Sequence, residues 1–231
     1  MGFDSENELR DAAINRIYED LSILFKNNDK HSFEEVPHAS GITDIVIANV
    51  SDRYLIKRME DLKLETGILH DSFLQLYVLL RREKQLKIKT LTKNFGNNYK
   101  VILKGIRWLS KHGYLDHNGE TIEITNAFRK HVTNTYAFEL KLKNWKRALK
   151  QAFAAKSYSN LQFVILDDDF VNPAVQNKNL FSKYNIGLIS VRPEAKFKIH
   201  YWPKKTKPYS ELGTWKFNEY SFEKIKCEIK C

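Results

Sequence analysis

The sequence predicts an α/β (α+β) fold, a central mixed sheet flanked by helices, with a smaller helical domain inserted into it. Helix-like and strand-like segments alternate at both ends of the chain, and a helical block closed by a hairpin signal lies between them. Hydrophobic residues make up 42% of the 231 positions, enough to bury one large core or two small ones.

At residues 6–26, Leu9, Ala13, Ile17, Leu21 and Leu24 recur at helical spacing, so this segment reads as an amphipathic helix that covers a sheet. Residues 32–37 and 41–50 are rich in Val, Ile, Phe and Thr and read as two strands, with Pro37 and Ser40-Gly41 supplying turn chemistry between them. Strands are expected again at 136–142, 161–166 and 186–191, and a helix at 144–157. The tail from Tyr201 to Cys231 mixes Trp202, Tyr209, Trp215, Phe217, Tyr220 and Phe222 with lysines and reads as extra strands, with stacking on bases as the other use of such aromatics.

The middle of the chain has a different pattern. Helices are expected at 69–82, 88–94 and 98–112, the last after the turn Gly96-Asn97-Asn98. Short strands at 114–115 and 121–125 then flank His117-Asn118-Gly119-Glu120, where Asn-Gly is a strong hairpin signal. Three helices followed by a β-hairpin wing resemble a winged helix-turn-helix domain over residues 68–132. The expected organisation is therefore one discontinuous domain at 1–52 and 133–231, and an inserted domain at 53–132.

Charge is distributed by segment. Thirty-eight Lys and Arg against 28 Asp and Glu give a net charge of +10, which favours a polyanionic partner, nucleic acid first. The first fifty residues are acidic, whereas residues 81–115 carry ten basic residues opposed only by Glu83, and 141–156 carry six with no acid. On the third helix of the middle block, Lys100, Lys104, Arg107 and Lys111 fall at i, i+4, i+7 and i+11, opposite Ile102, Ile106 and Leu109. In a helix-turn-helix domain this helix enters the major groove, with Asn97, Asn98 and Tyr99 at its amino end near base edges. A solvated basic face that binds nothing is the alternative.

Two strand segments carry the chemistry. Asp44 interrupts the apolar run Gly41-Ile42-Thr43-Asp44-Ile45-Val46-Ile47, where an ionised carboxylate is costly unless a cation or charged neighbour meets it. In Phe138-Glu139-Leu140-Lys141-Leu142, period-two alternation puts Glu139 and Lys141 on one side and the apolar residues on the other. If these strands are neighbours, Asp44 and Glu139 offer hard oxygens to one Mg²⁺ or Mn²⁺, with the Leu140 carbonyl as a further ligand. Lys141 then positions a water or stabilises the charge that develops on a phosphate. The bland alternative for Glu139 and Lys141 is an exposed ion pair.

Asp44 in GITDIVI, with Glu139 and Lys141 in FELKL, resembles the PD-(D/E)XK signature of restriction-endonuclease-like nucleases. The helix that follows carries Gln151-Ala152 and then Tyr158, similar to the Q-A-x(n)-Y pattern of some branches, which places Gln151 near the metal. Glu8 corresponds to an additional acid on the first helix, and 186–191 resembles the closing strand. The resemblance covers residues 5–50 and 134–192. Thr43 replaces the nominal proline, and ninety-four residues separate Asp44 from Glu139, an interval that an inserted domain accommodates because insertions are tolerated at exposed loops.

The resemblance and the charge together imply a metal-dependent endonuclease acting on DNA, with duplex as the favoured substrate and a homodimer as one route to double-strand cuts. A non-catalytic DNA-binding regulator on the same platform, or a nuclease acting on RNA, are the rival readings. Asp167-Asp168-Asp169 reads as a loop and helix start, and the seven histidines as surface or capping residues without ligand spacing. Cys227 and Cys231 read as free thiols rather than half of a zinc site. With no signal peptide and no membrane-length apolar run, a cytoplasmic location without a membrane partner is expected.

Overall fold

A computed structural model describes residues 2–25, 30–94, 99–193 and 195–230. In chain order its elements begin with α1 (Glu6–Asp20), β1 (Lys30–His38), β2 (Gly41–Val50) and α2 (Asp52–Ile56), the last running into a π-turn at Lys57–Asp61. There follow α3 (Asp71–Glu83), β3 (Gln85–Lys87), α4 (Ile88–Asn94), α5 (Tyr99–Lys111), β4 (Leu115–His117) and β5 (Thr121–Ile124). The chain continues through β6 (Val132–Lys141), α6 (Trp145–Ala155), β7 (Leu161–Asp167), α7 (Asn172–Gln176) and α8 (Lys178–Tyr184). It ends with β8 (Gly187–Val191), β9 (Lys198–Tyr201) and α9 (Glu211–Lys230). The mixed α/β class is as expected, and no helix among the described residues is long and apolar enough to cross a membrane.

The chain forms two compact units, one from Met1–Val50 with Thr133–Glu211, the other from Ser51–Val132 with Leu212 onward. The first holds a six-stranded sheet in the order β1-β2-β6-β7-β8-β9. Strands β6, β7 and β8 are parallel, and antiparallel pairs β1/β2 and β8/β9 lie outside them. Ser5 caps α1, its hydroxyl accepting from Glu8 N–H, and Leu9, Ala13 and Ile17 bury one helix face against Phe138, Phe163, Ile165 and Ile189. Helix α6, capped by Asn144, buries Ala148, Leu149 and Ala152 with Val164, Leu166 and Leu188 on the opposite layer. Helix α1 ends at Asp20 and gives way to a 3-10 turn at Ser22–Leu24, short of the expected residue 26. Pro37 lies within β1 rather than in the turn, a placement that an edge strand permits.

Gly187 in β8 sits beside Phe163 of β7, and a Cβ there would overlap the Phe163 ring, which stacks on Phe138. Gly187→Ala is therefore expected to cost about 1–3 kcal/mol of stability, as overpacked cores do. Urea unfolding checks this, and a midpoint equal to wild type would contradict it.

The second unit places α3, α4 and α5 with a three-stranded sheet, β3-β5-β4, in the helix and hairpin order read from the sequence. Asn118 shapes the hairpin, its Oδ1 accepting from the N–H groups of Glu120 and Thr121, while Gly119 takes a φ of +91°. The expected turn at Gly96-Asn97-Asn98 lies outside the described residues.

The tail departs from expectation. It is the helix α9, not extra strands, and from Leu212 it belongs to the second unit rather than to a domain spanning 133–231. Trp215 packs there with Tyr77 and Phe128, and the buried side chains of Asn218, Glu219 and Ser221 take polar partners within the same unit.

Candidate functional site

Because β2 and β6 are neighbours in the sheet, Asp44 comes to lie beside the Glu139–Lys141 segment. Leu140 N–H donates to Asp44 Oδ2 at 2.7 Å, a charge-assisted bond that fixes the carboxylate against β6. Lys141 Nζ lies 3.6 Å from the same oxygen and 3.3 Å from Glu6 Oε2, and it donates to the Leu140 carbonyl at 2.7 Å. An ammonium group thus sits among two carboxylates and a main-chain carbonyl.

Glu139 is fully buried, and neither of its oxygens makes a hydrogen bond of good geometry. Burial first, then the charge of Asp44, push its carboxyl up to about 9, against the opposing pull of the Lys141 ammonium. An exposed ion pair is excluded for this segment, since Lys141 is only 9% exposed and Glu139 not at all.

Raised above its unfolded value, this carboxyl holds more protons in the native than in the unfolded state across the interval between the two values. Its contribution to stability is complete below the ordinary carboxyl range and is lost as pH rises toward about 9. With chelator present, wild type is expected to lose more stability over that interval than Glu139→Gln, as read from urea midpoints at successive pH values. Parallel pH profiles would contradict it.

Around this pair lie further buried polar groups. Tyr158 donates its hydroxyl to Thr43 Oγ1 at 2.8 Å, and burial pushes the phenol pKa up. The ring of His38 lies 5.7 Å from that of Tyr158; burial pulls its pKa down, which favours neutral imidazole, and Nε2 is buried without a hydrogen bond. Gln151 is on α6, which packs against β2, and its Oε1 is likewise buried and unsatisfied. Each buried unpaired polar atom costs about 1–3 kcal/mol. Buried polar atoms such as these call for a partner, whether water, a ligand or an ion.

Mg²⁺ and Mn²⁺ bind through one or two carboxylates and keep several waters, so the donor types at Asp44 and Glu139 suit them. Among the described residues no three His, Cys, Asp or Glu side chains group to hold a metal. The Leu140 carbonyl, expected as a further ligand, accepts from the Lys141 ammonium.

The acid of α1 that meets Lys141 is Glu6 rather than the expected Glu8. Glu8 lies in the capping turn, where its carboxylate accepts from Asp4 N–H at 3.0 Å and its own N–H donates to Ser5. Thr43, expected only in place of the nominal proline, and His38, expected at the surface or in a cap, both lie against Tyr158. The aromatic contact between His38 and Tyr158 has no signal in the sequence, whereas the S-x-x-E pattern at Ser5–Glu8 could have assigned Glu8 to the cap.

In the second unit, Tyr99, Lys100, Lys104, Arg107 and Lys111 are exposed along α5, and the four cations make no ion pair among the described residues. Ile102, Ile106 and Leu109 are buried on the other face. Asn97 and Asn98 lie outside the described residues. In the first unit, Lys143, Lys146, Arg147 and Lys150 expose a second cationic face at the start of α6.

Other constellations resolve as structure. Asp167 accepts from the N–H groups of Phe3 and Asp169, and Asp168 and Asp169 pair with Arg192, which accounts for the acidic triplet. Ser190 Oγ donates to Asp168 at 2.6 Å and meets His200 Nε2 at 2.8 Å, so the carboxylate addresses the hydroxyl rather than the imidazole, unlike a nucleophilic triad. His131 departs from the surface or capping role expected of the histidines, being buried with Nε2 3.0 Å from Ser221 Oγ. Cys227 is a free, exposed thiol, and Cys231 lies outside the described residues. No family model matches the chain, and neither a curated protein nor a solved structure is significantly similar to it.

Proposed function

We propose that the protein is a metal-dependent DNA endonuclease of the PD-(D/E)XK type, with a winged helix-turn-helix supplying DNA affinity, acting in the cytoplasm. The observation that supports this most is the convergence of Asp44, buried Glu139 and Lys141 on two adjacent strands, with Asp44 Oδ2 3.6 Å from Lys141 Nζ.

Asp44 and Glu139 would hold Mg²⁺ or Mn²⁺, and the bound ion supplies an acidified water and charge neutralisation at the phosphate. The chain's own groups do the rest. Asp44 is pre-positioned by Leu140 N–H and costs little to reorganise. Glu139, whose carboxyl is raised by burial, would have to be ionised to hold the ion. Lys141 would set its ammonium group beside the phosphate, where it orients water or offsets developing negative charge. Glu6 restrains that ammonium from α1. The cations at the start of α6 attract the phosphate backbone.

Supercoiled plasmid incubated with Mg²⁺ or Mn²⁺ should be nicked or linearised, and chelator should stop the reaction. Tight duplex binding with no cleavage in either metal would leave the non-catalytic regulator standing. The same assay on duplex RNA separates the two polymers.

The stripe on α5 makes a separate prediction. Lys104→Ala, Arg107→Ala and Lys111→Ala should each weaken duplex binding across sequences and each lower the slope of log K against log salt by about 1. Fluorescence anisotropy over a salt series measures it, and an unchanged slope in the triple variant would assign α5 to a solvated face.

A further inference from the structure

The first unit contains a second candidate site, distinct from the carboxylates of Asp44 and Glu139. A cavity of about 400 Å³ opens at one end of the sheet, between the 3-10 turn after α1, the start of β6 and β7, and the segment after β9. Its size falls in the range of small-molecule sites, about 300–1,000 Å³.

The lining is selective in chemistry. Leu24, Tyr136 and Leu161 give apolar walls, and Tyr136 is locked by its hydroxyl donating to the Leu24 carbonyl at 2.9 Å. Trp202 lines the cavity while 40% exposed, held by an edge contact with Phe163 at 5.5 Å, so an indole is available for stacking. Asn49 also lines it. That side chain is only 9% exposed, and its Oδ1 is buried without a hydrogen bond. Lys205 adds a cation.

An unpaired carboxamide oxygen asks for a donor, and its last torsion is soft enough to turn toward one. An indole beside apolar side chains suits a planar ring, and a lysine suits an anion. The exocyclic amine of adenine, its ring and an attached phosphate meet all three demands. Asn is a suitable partner because it can accept from N6–H while donating to a ring nitrogen. Uracil lacks an exocyclic amine, its N3–H lying between two carbonyl acceptors, and the larger purine stacks over more of the indole.

We propose that this cavity binds an adenine nucleotide, either free or as an unpaired residue of a nucleic-acid strand. The site is separate from the proposed metal site. On β2, Asn49 shares the parity of Ile45 and Ile47, which face α1, and Asp44 has the opposite parity. Along the strand, five residues correspond to about 16 Å. Binding here does not depend on the nuclease reading.

Equilibrium dialysis of the full chain with labelled AMP, with chelator present, tests the proposal. Saturable binding is expected, with adenosine weaker, and ribose 5-phosphate and UMP at least about tenfold weaker, equivalent to about 1.4 kcal/mol. Trp202→Ala, at a partly exposed position and with folding checked by urea unfolding, should weaken AMP at least about tenfold, as should Asn49→Leu. Lys205→Ala should remove the advantage of AMP over adenosine. An oligodeoxyadenylate that binds with the same dependence on Trp202 and far more tightly than AMP would assign the site to a strand, and parity between them to the free nucleotide. No saturation up to about 5 mM AMP or oligonucleotide phosphate, or binding indifferent to Trp202→Ala and Asn49→Leu alike, overturns the proposal. Cleavage by the metal site is read separately, so failure of one leaves the other intact.

Discussion

Asp44→Asn is expected to lower metal-dependent cleavage of duplex DNA by about 10²–10⁴-fold, the range over which single catalytic groups act, while duplex binding is unchanged. The asparagine keeps an oxygen that can accept from Leu140 N–H, so the strand geometry at 2.7 Å survives and only the charge is lost. Asp44→Ala removes the acceptor as well and should equal or exceed that loss. Lys141→Ala should separate the two roles assigned to this corner of the sheet. It frees the Leu140 carbonyl, so Mn²⁺ affinity by calorimetry should be equal or higher, yet cleavage should fall. Wild-type cleavage in Asp44→Asn and Lys141→Ala alike, with unaltered Mn²⁺ binding in the first, would remove the catalytic assignment of both residues.

The parts of this site that were legible in the sequence are those that local periodicity controls. Alternation along β6 separates Phe138 and Leu140 from Glu139, and in the folded sheet the two apolar residues pack on the layer that holds α1. An acid inside the apolar run of β2 was a sufficient signal for Asp44, because burial of such a group is costly without a partner. The pairing of β2 with β6 was inferred rather than read, since ninety-four residues intervene. Glu6 and Glu8 both lie near the start of α1, and which of them reaches Lys141 depends on the docking angle of the helix, a tertiary property.

Helix α9 was missed for another reason. Its inward face includes Asn218, Glu219 and Ser221 as well as Trp215 and Phe222, so polar side chains break the helical repeat of hydrophobicity that a sequence reading relies on. Strand β3 is three residues long and its side chains are mostly exposed, too short for any period to register. Both are decided by partners in the folded unit. For α9 the decisive partner is Arg58.

Arg58 and Glu219 should give the largest stability effect in the chain. Their side chains are 0% and 1% exposed, with Nη1 to Oε1 at 2.8 Å and Nη2 to Oε2 at 2.7 Å, a bidentate pair. Arg58 also donates from Nη2 to Tyr114 and from Nε to the Leu64 carbonyl, and its guanidinium lies over the rings of Phe128 and Phe222 at 4.2 and 3.7 Å. Glu219 accepts in turn from Ile68 N–H and from Asn218 Nδ2. Nearly every donor and acceptor is used, so removal of one partner strands a buried charge. Arg58→Met alone is expected to cost about 3–5 kcal/mol, as is Glu219→Leu alone, a large fraction of the about 5–15 kcal/mol that holds a domain together. The double variant should recover much of the loss, because an apolar pair of similar volume carries no desolvation cost. Urea unfolding of the four proteins closes the cycle, and single-variant losses below about 1 kcal/mol, or simple additivity in the double, would contradict a buried, coupled pair. Arg58→Lys should not rescue. An ammonium is a point charge without the planar fork, so it can neither grip both carboxylate oxygens in parallel nor fill the slot between two aromatic rings.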